Sequence, residues 1–431
     1  MALQPLARPA TYVPITNDIR LRTSIERTIS KDNGVPIKIA DEYPQRGDDI
    51  YNTVRVNVAR NKREEFSVKS PLQTKQEMNH MLVVLCSWGT NTTRQEVTQR
   101  ALLYLTEMNP APQVVFVEGS VNGSYNFSYV TEYGFSYIPV DLQQDCYRNL
   151  FVKEMLWNLG VKKVLSTCST ITKILYLDSD CAFVDRYAFN EIDRALDQYD
   201  VISPMKAAYY ADTDVESAKY GLLHTIGYRV IQKVNRSGWQ GFGLAMTVDF
   251  LKQYYNLELP CSSLGFADCL FWWFLTAKTN MRNFKQLPYD PKKMQQYILP
   301  NTVKIGYANT VMMHLYHGNL TDRQYFVKCR LIQLCIKNPF GDLVRLDNGM
   351  LGWNDDPDTR LLRQCIENLL IYNRLDMKLT TSQDAEEFFR WITGVCPHPP
   401  RKIKPTRFAP HGNRLPASEV SWPVPNKISE I

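Results

Sequence analysis

The stretch TKILYLDSDCAFVD, from Thr172 to Asp185, sets two carboxylates one residue apart at the end of a short apolar run. The apolar residues Ile174 to Leu177 predict a buried strand, and such strands in α/β sheets present ligand-binding groups at their carboxyl ends. Asp178 and Asp180 are therefore expected at a strand tip. Two carboxylates this close repel each other unless a cation or a basic group neutralises them, and an oxygen-rich site suits Mg²⁺ or Mn²⁺. D-x-D alone is also a common solvated turn, so its surroundings decide what it means.

Outward from this stretch, the chain alternates apolar runs with helical patterns. MLVVLCSWG (81–89) is an apolar run ending in glycine, TRQEVTQRALLYLTEM (93–108) has helical spacing, and PQVVFVEGS (112–120) is a second apolar run ending in an acid and glycine. FSYIPVD (135–141) predicts a third strand, and CYRNLFVKEMLWNLGVKKVL (146–165) an amphipathic helix closing near Gly160. The opening motif then falls on a fourth strand. Alternation of this kind predicts an α/β fold with a mostly parallel sheet, helices on both faces and ligands at the strand ends.

The chain has 431 residues, 44% hydrophobic and 12% aromatic, enough for a large α/β domain with appendages. The sequence opening at Met1 lacks the apolar core of a secretion signal, and the longest apolar block, CLFWWFLTA (269–277), is too short to span a bilayer. The ten cysteines form no C-x-x-C pair and are expected as reduced thiols, which with the missing signal predicts a cytoplasmic protein. Five N-x-S/T sequons, Asn91, Asn235 and Asn319 among them, are then read as chance. The net charge of +6 sits at the ends: residues 1–78 carry 13 Lys/Arg against 10 Asp/Glu, and residues 397–431 carry 6 against 2. The expected organisation is an N-terminal extension (1–78), a main α/β domain (79–340), a helical extension (341–396) and a basic, Pro-rich tail (397–431) that could touch phosphates. No G-x-x-x-x-G-K-[ST], G-x-G-x-x-G or G-x-S-x-G motif supports an NTPase, a dinucleotide enzyme or a hydrolase.

The order MLVVLCSW, VVFVEGS, RNLFVKEMLWNLGV, ILYLDSD, DVISPM, GWQGFGLA and GFADCLFWW resembles glycosyltransferases of the GT-A fold. HLYHGNLTDRQY (314–325), GDLVRLDNGMLGWNDD (341–356) and IENLLIYNRL (366–375) resemble a largely uncharacterised bacterial and phage glycosyltransferase family with an H-x-x-H-G, R-x-Y pattern. The resemblance covers roughly residues 80 to 375. It implies a Rossmann-like GT-A domain that uses a nucleotide-sugar donor and Mn²⁺ or Mg²⁺. Asp180 would then bind the metal directly, and Asp178 would bind it through water or contact the ribose and sugar hydroxyls. A histidine after the central sheet would complete the metal shell. His317 is favoured over His314, because Gly318 beside it allows close approach to a diphosphate and Arg323 adds charge.

The resemblance also places the donor at the first two strand ends, beside Ser87, Trp88 and Glu118. An acid at position 118 can accept the ribose hydroxyls or the imide N–H of uracil, which makes UDP the expected carrier. Arg148 and Lys153, at the start of the helix before D-x-D, are expected to reach the base or diphosphate, against the plainer role of solvated helix residues. On the acceptor side stand Trp239, Gly241, Phe242 and Gly243: an aromatic face, and glycines that permit close backbone approach. The acid opening the next helix, Asp268, would take the proton of the acceptor hydroxyl, or act only as a helix N-cap. Where the family has an acid pair, this chain has Ala267 and Asp268, which leaves inversion or retention open.

Three functions stand as expectations. The first is a metal-dependent hexosyltransferase acting from a UDP-sugar on a glycan, lipid-linked or small acceptor. The second is the same chemistry on hydroxymethylated bases in DNA, with a nuclear location then open. The third is a non-catalytic sugar- or nucleic-acid-binding protein on a degenerate GT-A scaffold.

Overall fold

The computed structural model describes residues 77–89, 92–210, 223–232, 241–280, 287–315, 328, 331–333 and 335–374. Trp239, His317, Gly318 and Arg323, most of the N-terminal extension and the whole basic tail lie outside the described residues.

The first three strands are β1 (Glu77–Trp88), β2 (Ala111–Ser120) and β3 (Ser136–Asp141), paired in parallel in the order β1-β2-β3. On the other side of β1 lies β4 (Lys173–Leu177), also parallel. Beyond it come β9 (Gly243–Thr247), β6 (Val201–Ser203) and β10 (Ile305–Tyr307), completing a seven-stranded sheet ordered β10-β6-β9-β4-β1-β2-β3. Only β9 runs against its neighbours. The fold is thus mixed α/β with a mostly parallel central sheet flanked by helices, as the strand–helix alternation predicts.

β1 reads as a continuous apolar run because both of its faces are covered. Leu82, Val84 and Cys86 enter one core cluster, while Met81, Val83 and Leu85 enter the other. On the second face, helix α1 (Thr92–Thr106) turns Leu102 and Leu105 inward. On the first face lies α2 (Lys153–Leu165), which buries Met155, Leu156, Trp157 and Val161. Each large side chain so buried contributes roughly 1.5–3 kcal/mol.

The predicted limits of α2 are corrected at both ends. A short 3₁₀ turn spans Asp145–Tyr147, Asn149 takes a left-handed φ of 61°, and the α-helix begins only at Lys153. Gly160 does not close the helix but lies inside it. A Cβ there would come within 2.9 Å of the Val117 side chain, so this glycine lets α2 sit close on the sheet.

A second, four-stranded sheet is ordered β5-β11-β7-β8 and joins β5 (Cys181–Phe183), β11 (Val311–His314), β7 (Ala207–Tyr210) and β8 (Leu223–His224). Towards the C-terminus, β12 (Leu343–Arg345) and β13 (Leu351–Trp353) form a hairpin before a final helix, Pro357–Arg374. Trp353, Leu362, Cys365 and Ile366 join the same core cluster as Trp157, so this segment packs into the main domain. Among the described residues, no helix is long and apolar enough to cross a membrane.

Candidate active site

The reversed direction of β9 builds the centre of the site. β4 ends at Leu177, whose register partner is Gly243, the first residue of β9, so the residues just outside the two strands, Asp178 and Phe242, meet at one edge of the sheet. The Asp178 N–H donates to the Phe242 carbonyl at 3.1 Å, and the Phe242 N–H donates to Asp178 Oδ2 at 3.2 Å. Phe242 holds this reciprocal pair with a φ of 80°, a left-handed conformation costly for a bulky residue and concentrated at functional sites. Its ring lies 5.1 Å from that of His314. Gly243 is needed next to it, since a Cβ would stand 3.0 Å from the Tyr176 carbonyl.

The other oxygen of Asp178, Oδ1, accepts from Lys153 Nζ at 2.9 Å. Lys153 leaves the first residue of α2, with its ammonium 4.7 Å from the centre of the Trp157 ring and 3.6 Å from Glu154 Oε1. Burial works against its charge, but Asp178, Glu154 and Asp268 outweigh burial and hold the ammonium well above the usual lysine range. The basic group that a close carboxylate pair calls for is thus supplied, on the Asp178 side, by Lys153.

Asp180 is held by the second sheet. β5 and β11 pair antiparallel with Cys181 opposite His314, so the Leu315 N–H donates to the Asp180 carbonyl at 2.7 Å. The same register sets His314 Nε2 3.4 Å from Asp180 Oδ2, with His314 almost fully buried. D-x-D therefore spans two sheets: its first acid belongs to α2 and β9, its second to β11. Of the two candidate histidines, His314 stands beside Asp180, while His317 lies outside the described residues. No group of three or more His, Cys, Asp or Glu is arranged as a complete metal cage among the described residues. Asp180 and His314 converge as a carboxylate and imidazole pair, a donor set that fits Mn²⁺ when further ligands come from phosphate and water.

Asp268 lies in the first turn of α6 (Ala267–Asn280). Its Oδ1 accepts the N–H of Cys269 at 2.8 Å, one residue on, rather than the amide two or three residues on that an N-cap satisfies. It lines a small cavity of about 20 Å³, room for about one water, together with Lys153, Glu154, Trp157, Phe271 and Trp272. Gly241, Phe242 and Gly243 form another part of its wall.

Glu154 is not readable from the sequence. It is 3% exposed, and its Oε2 has no hydrogen-bond partner among the described residues. Burial, opposed by Lys153 and reinforced by Asp268, pushes its carboxyl up to about 7. In sequence it is one more charged residue beside a lysine on an amphipathic helix. The return of β9 at Phe242–Leu244 and the start of α6 line the same small cavity as Glu154.

The donor-side expectations are dispersed. Ser87 is nearly buried, and Trp88 packs edge-on against Phe151 with ring centres 5.0 Å apart. The Glu118 carboxylate, expected to meet the nucleoside, is taken up by the chain itself. It accepts from the N–H groups of Asn126 (2.6 Å) and Phe127 (3.0 Å) and from the Tyr137 hydroxyl (2.7 Å), and so pins the loop after β2. The Arg148 guanidinium is 64% exposed and pairs with Glu367 at 3.5 Å on the final helix.

No protein-family model and no curated protein matches the chain. Among solved structures it is similar to the mannosyltransferase PcManGT from Pyrobaculum calidifontis in complex with GDP-Man and Mn²⁺, at 12% identity over 67% of this chain and 73% of that one, with a TM-score of 0.34. It is also similar to glucosyl-3-phosphoglycerate synthase from Mycobacterium tuberculosis in complex with Mg²⁺ and uridine diphosphate, at 9% identity over 67% of this chain and 84% of that one, with a TM-score of 0.32. Similarities of this size carry no functional argument, so the case for a function lies with this chain's own residues.

Proposed function

We propose that the chain is a metal-dependent glycosyltransferase of the GT-A type, moving a hexose from a UDP-sugar to a hydroxyl acceptor. The observation that carries this is the meeting, around the D-x-D segment that leaves β4, of Asp178 with Lys153 and of Asp180 with His314, beside a small cavity lined by Asp268. Asp180 and His314 would hold a divalent cation, with Asp178 alongside through water. Once bound there, the cation supplies Lewis-acid charge to the diphosphate leaving group. Lys153 adds a second, fixed positive charge on the Asp178 side, in surroundings that weaken it little by solvation. The nucleoside would lie over the ends of β1 and β2, beside Ser87, Trp88 and the loop pinned by Glu118. Asp268 would accept the proton of the attacking hydroxyl.

The test is a panel of nucleotide sugars with Mn²⁺, scored for release of free nucleotide. UDP release that stops on chelation supports the proposal, and failure to turn over any donor ends it. Asp180→Asn should abolish the Mn²⁺-dependent release while the fold persists, because a neutral amide offsets cation charge far less well. Unchanged metal-dependent release would remove Asp180 from the metal site.

A further inference from the structure

A cluster of basic groups lies on the far side of the D-x-D segment from β1 and β2. β6 and β10 end at Ser203 and Tyr307, which are register partners, and the chain leaving β6 passes Pro204, which a Cβ on Gly243 would meet at 3.2 Å. Two residues on comes Lys206, 7% exposed. The short helix Ile226–Ile231 is anchored to the same stretch: Thr225 Oγ1 donates to the Met205 carbonyl at 2.9 Å, and the Gly227 N–H donates to Ser203 Oγ at 3.1 Å. This anchoring brings His224, Tyr228 and Arg229 to Lys206. The Tyr228 ring stacks on the His224 imidazole with centres 4.6 Å apart, the Lys206 ammonium lies 5.4 Å from the centre of the Tyr228 ring, and Tyr307 packs edge-on against it.

Arg229 carries the observation that points to a ligand. Its Nε and Nη1 are buried and have no hydrogen-bond partner among the described residues. Buried guanidinium donors without acceptors are expensive, and an anion satisfies both the donors and the charge. Among the described residues, the charged groups that act on His224 are Arg229 and Lys206; burial first, then these two cations, push its imidazole down to about 4. His224 is therefore neutral at pH 7, and the cluster holds two fixed positive charges.

We propose that Arg229, Lys206 and His224 form an anion-binding part of the acceptor subsite, and that it takes a phosphate monoester carried by the acceptor. This rests on the glycosyltransferase reading and adds to it the acceptor class. Two fixed charges match the dianion of a phosphate monoester, whereas a carboxylate or a phosphodiester brings only one. The neutral imidazole offers a further N–H donor without a third charge. The position suits an acceptor rather than the donor. Ligands of α/β sheets gather at the carboxyl ends of the strands, and this cluster stands at the ends of β6 and β10, beyond β9, while the nucleoside is assigned to β1 and β2. Ile226 and Leu270 enter one core cluster, so the short helix packs into the same layer as α6, which carries Asp268.

The experiment needs no donor turnover. The whole chain is titrated calorimetrically in EDTA with glycerol 3-phosphate and hexose 6-phosphates, against glycerol, free hexoses, glycerate and a short single-stranded DNA. Saturable binding of a monoester, at least about tenfold tighter than of any of these comparators, is expected, and Arg229→Gln should weaken it about tenfold or more, the scale of a hydrogen bond to a charged group. Saturating Mn²⁺-UDP should not displace the monoester. Vesicles of phosphatidylcholine with and without phosphatidic acid identify the source: an Arg229-dependent preference for phosphatidic acid over glycerol 3-phosphate assigns a lipid-borne phosphate, and the reverse preference a soluble one, each supporting the subsite. No monoester binding, equal or tighter binding of glycerate or DNA, a loss below about tenfold in the Gln variant, or displacement by Mn²⁺-UDP overturns the proposal. If that variant fails to fold, the wild-type preference for the monoester and its survival under Mn²⁺-UDP still decide. Monoester binding with no turnover of any nucleotide sugar would sink the transferase assignment and leave an anion site, and donor turnover without monoester binding would sink this inference alone.

Discussion

Two glutamates lie on the two sides of this site, equally buried and oppositely furnished. Glu118, 4% exposed, lies near the end of β2 with three donors on its carboxylate; Glu154, 3% exposed, is the second residue of α2, with the Lys153 ammonium at 3.6 Å and an oxygen that has no hydrogen-bond partner among the described residues. Burial alone therefore does not tell whether a carboxylate's hydrogen bonding is complete. What distinguishes them is whether the chain completes the hydrogen bonding itself. The Glu118 carboxylate is taken up by its own loop, while Glu154 Oε2 has no hydrogen-bond partner among the described residues. Asp178 and Asp180 repeat the contrast on a smaller scale: Asp178 is tied by Lys153 and a backbone amide, and Asp180 shares its carboxylate with His314 across a longer 3.4 Å.

The largest effect expected on the Glu154 side belongs to its cavity partner. Asp268→Asn should lower transfer by roughly 10²- to 10⁴-fold while leaving UDP-sugar affinity nearly intact, because a general base acts on the acceptor and not on the donor. Turnover and calorimetric donor binding, measured on one preparation, should come apart. Near-normal transfer would refute the base role and break the link between this cavity and chemistry.

Next in size is the structural glutamate. Glu118→Ala leaves the Phe127 amide and the Tyr137 hydroxyl without their acceptor and should destabilise the fold by about 2–4 kcal/mol in denaturant titrations. A change below about 1 kcal/mol would mean that the loop does not depend on Glu118, and the contrast with Glu154 would fail from that side.

How much of this is legible in the sequence depends on which interactions are local. β1, β2 and β4 can be read because strands covered on both faces must be apolar throughout, and the two acids at the tip of β4 stand out against that run. β5, β7, β8 and β11 have two to four residues each, too few for any period, so the pairing that brings His314 to Asp180 leaves no sequence signal. Sequence favours His317 for the neighbouring glycine, a residue outside the described ones, while the register of β5 with β11 sets His314 beside Asp180. Lys153 is a weak candidate in sequence, because a helix lysine is usually solvated; the antiparallel return of β9 and the covering α6 are what enclose it. Gly160 misleads for a related reason, since a helix glycine signals an end only when nothing packs against it.

A smaller effect concerns the pH dependence of stability. The Glu154 carboxyl titrates at about 7 in the folded chain against 4.5 ordinarily. Between those values the folded state binds more protons than the unfolded one, so stability falls as pH rises through this window. The loss is on the order of 2–3 kcal/mol, at about 1.4 kcal/mol per unit with allowance for coupling to Lys153 and Asp268. Glu154→Gln, always neutral, should flatten that part of the curve and leave the variant more stable than wild type above pH 7. An unchanged slope between pH 5 and 7.5 would show that Glu154 ionises freely, and would make it as well satisfied as Glu118.

The smallest expected effect is at Arg148. Its position before α2 marks it as a donor contact, yet its guanidinium is 64% exposed and reaches Glu367 at a loose 3.5 Å. An exposed pair of this geometry is worth less than about 1 kcal/mol, since solvent screens the attraction and side-chain entropy opposes it. Its backbone is the firmer attachment: the Arg148 carbonyl accepts the Trp353 indole N–H at 2.8 Å, and no side-chain substitution removes that bond. Arg148→Ala should therefore shift stability by under about 1 kcal/mol and change Mn²⁺-dependent UDP affinity by less than about twofold. A loss of about tenfold in UDP affinity, with stability unchanged, would mean that the side chain leaves Glu367 for the diphosphate when donor binds. Arg148 would then join Lys153 as a second cationic arm of the site, and the cationic side of the site would be completed only in the presence of donor.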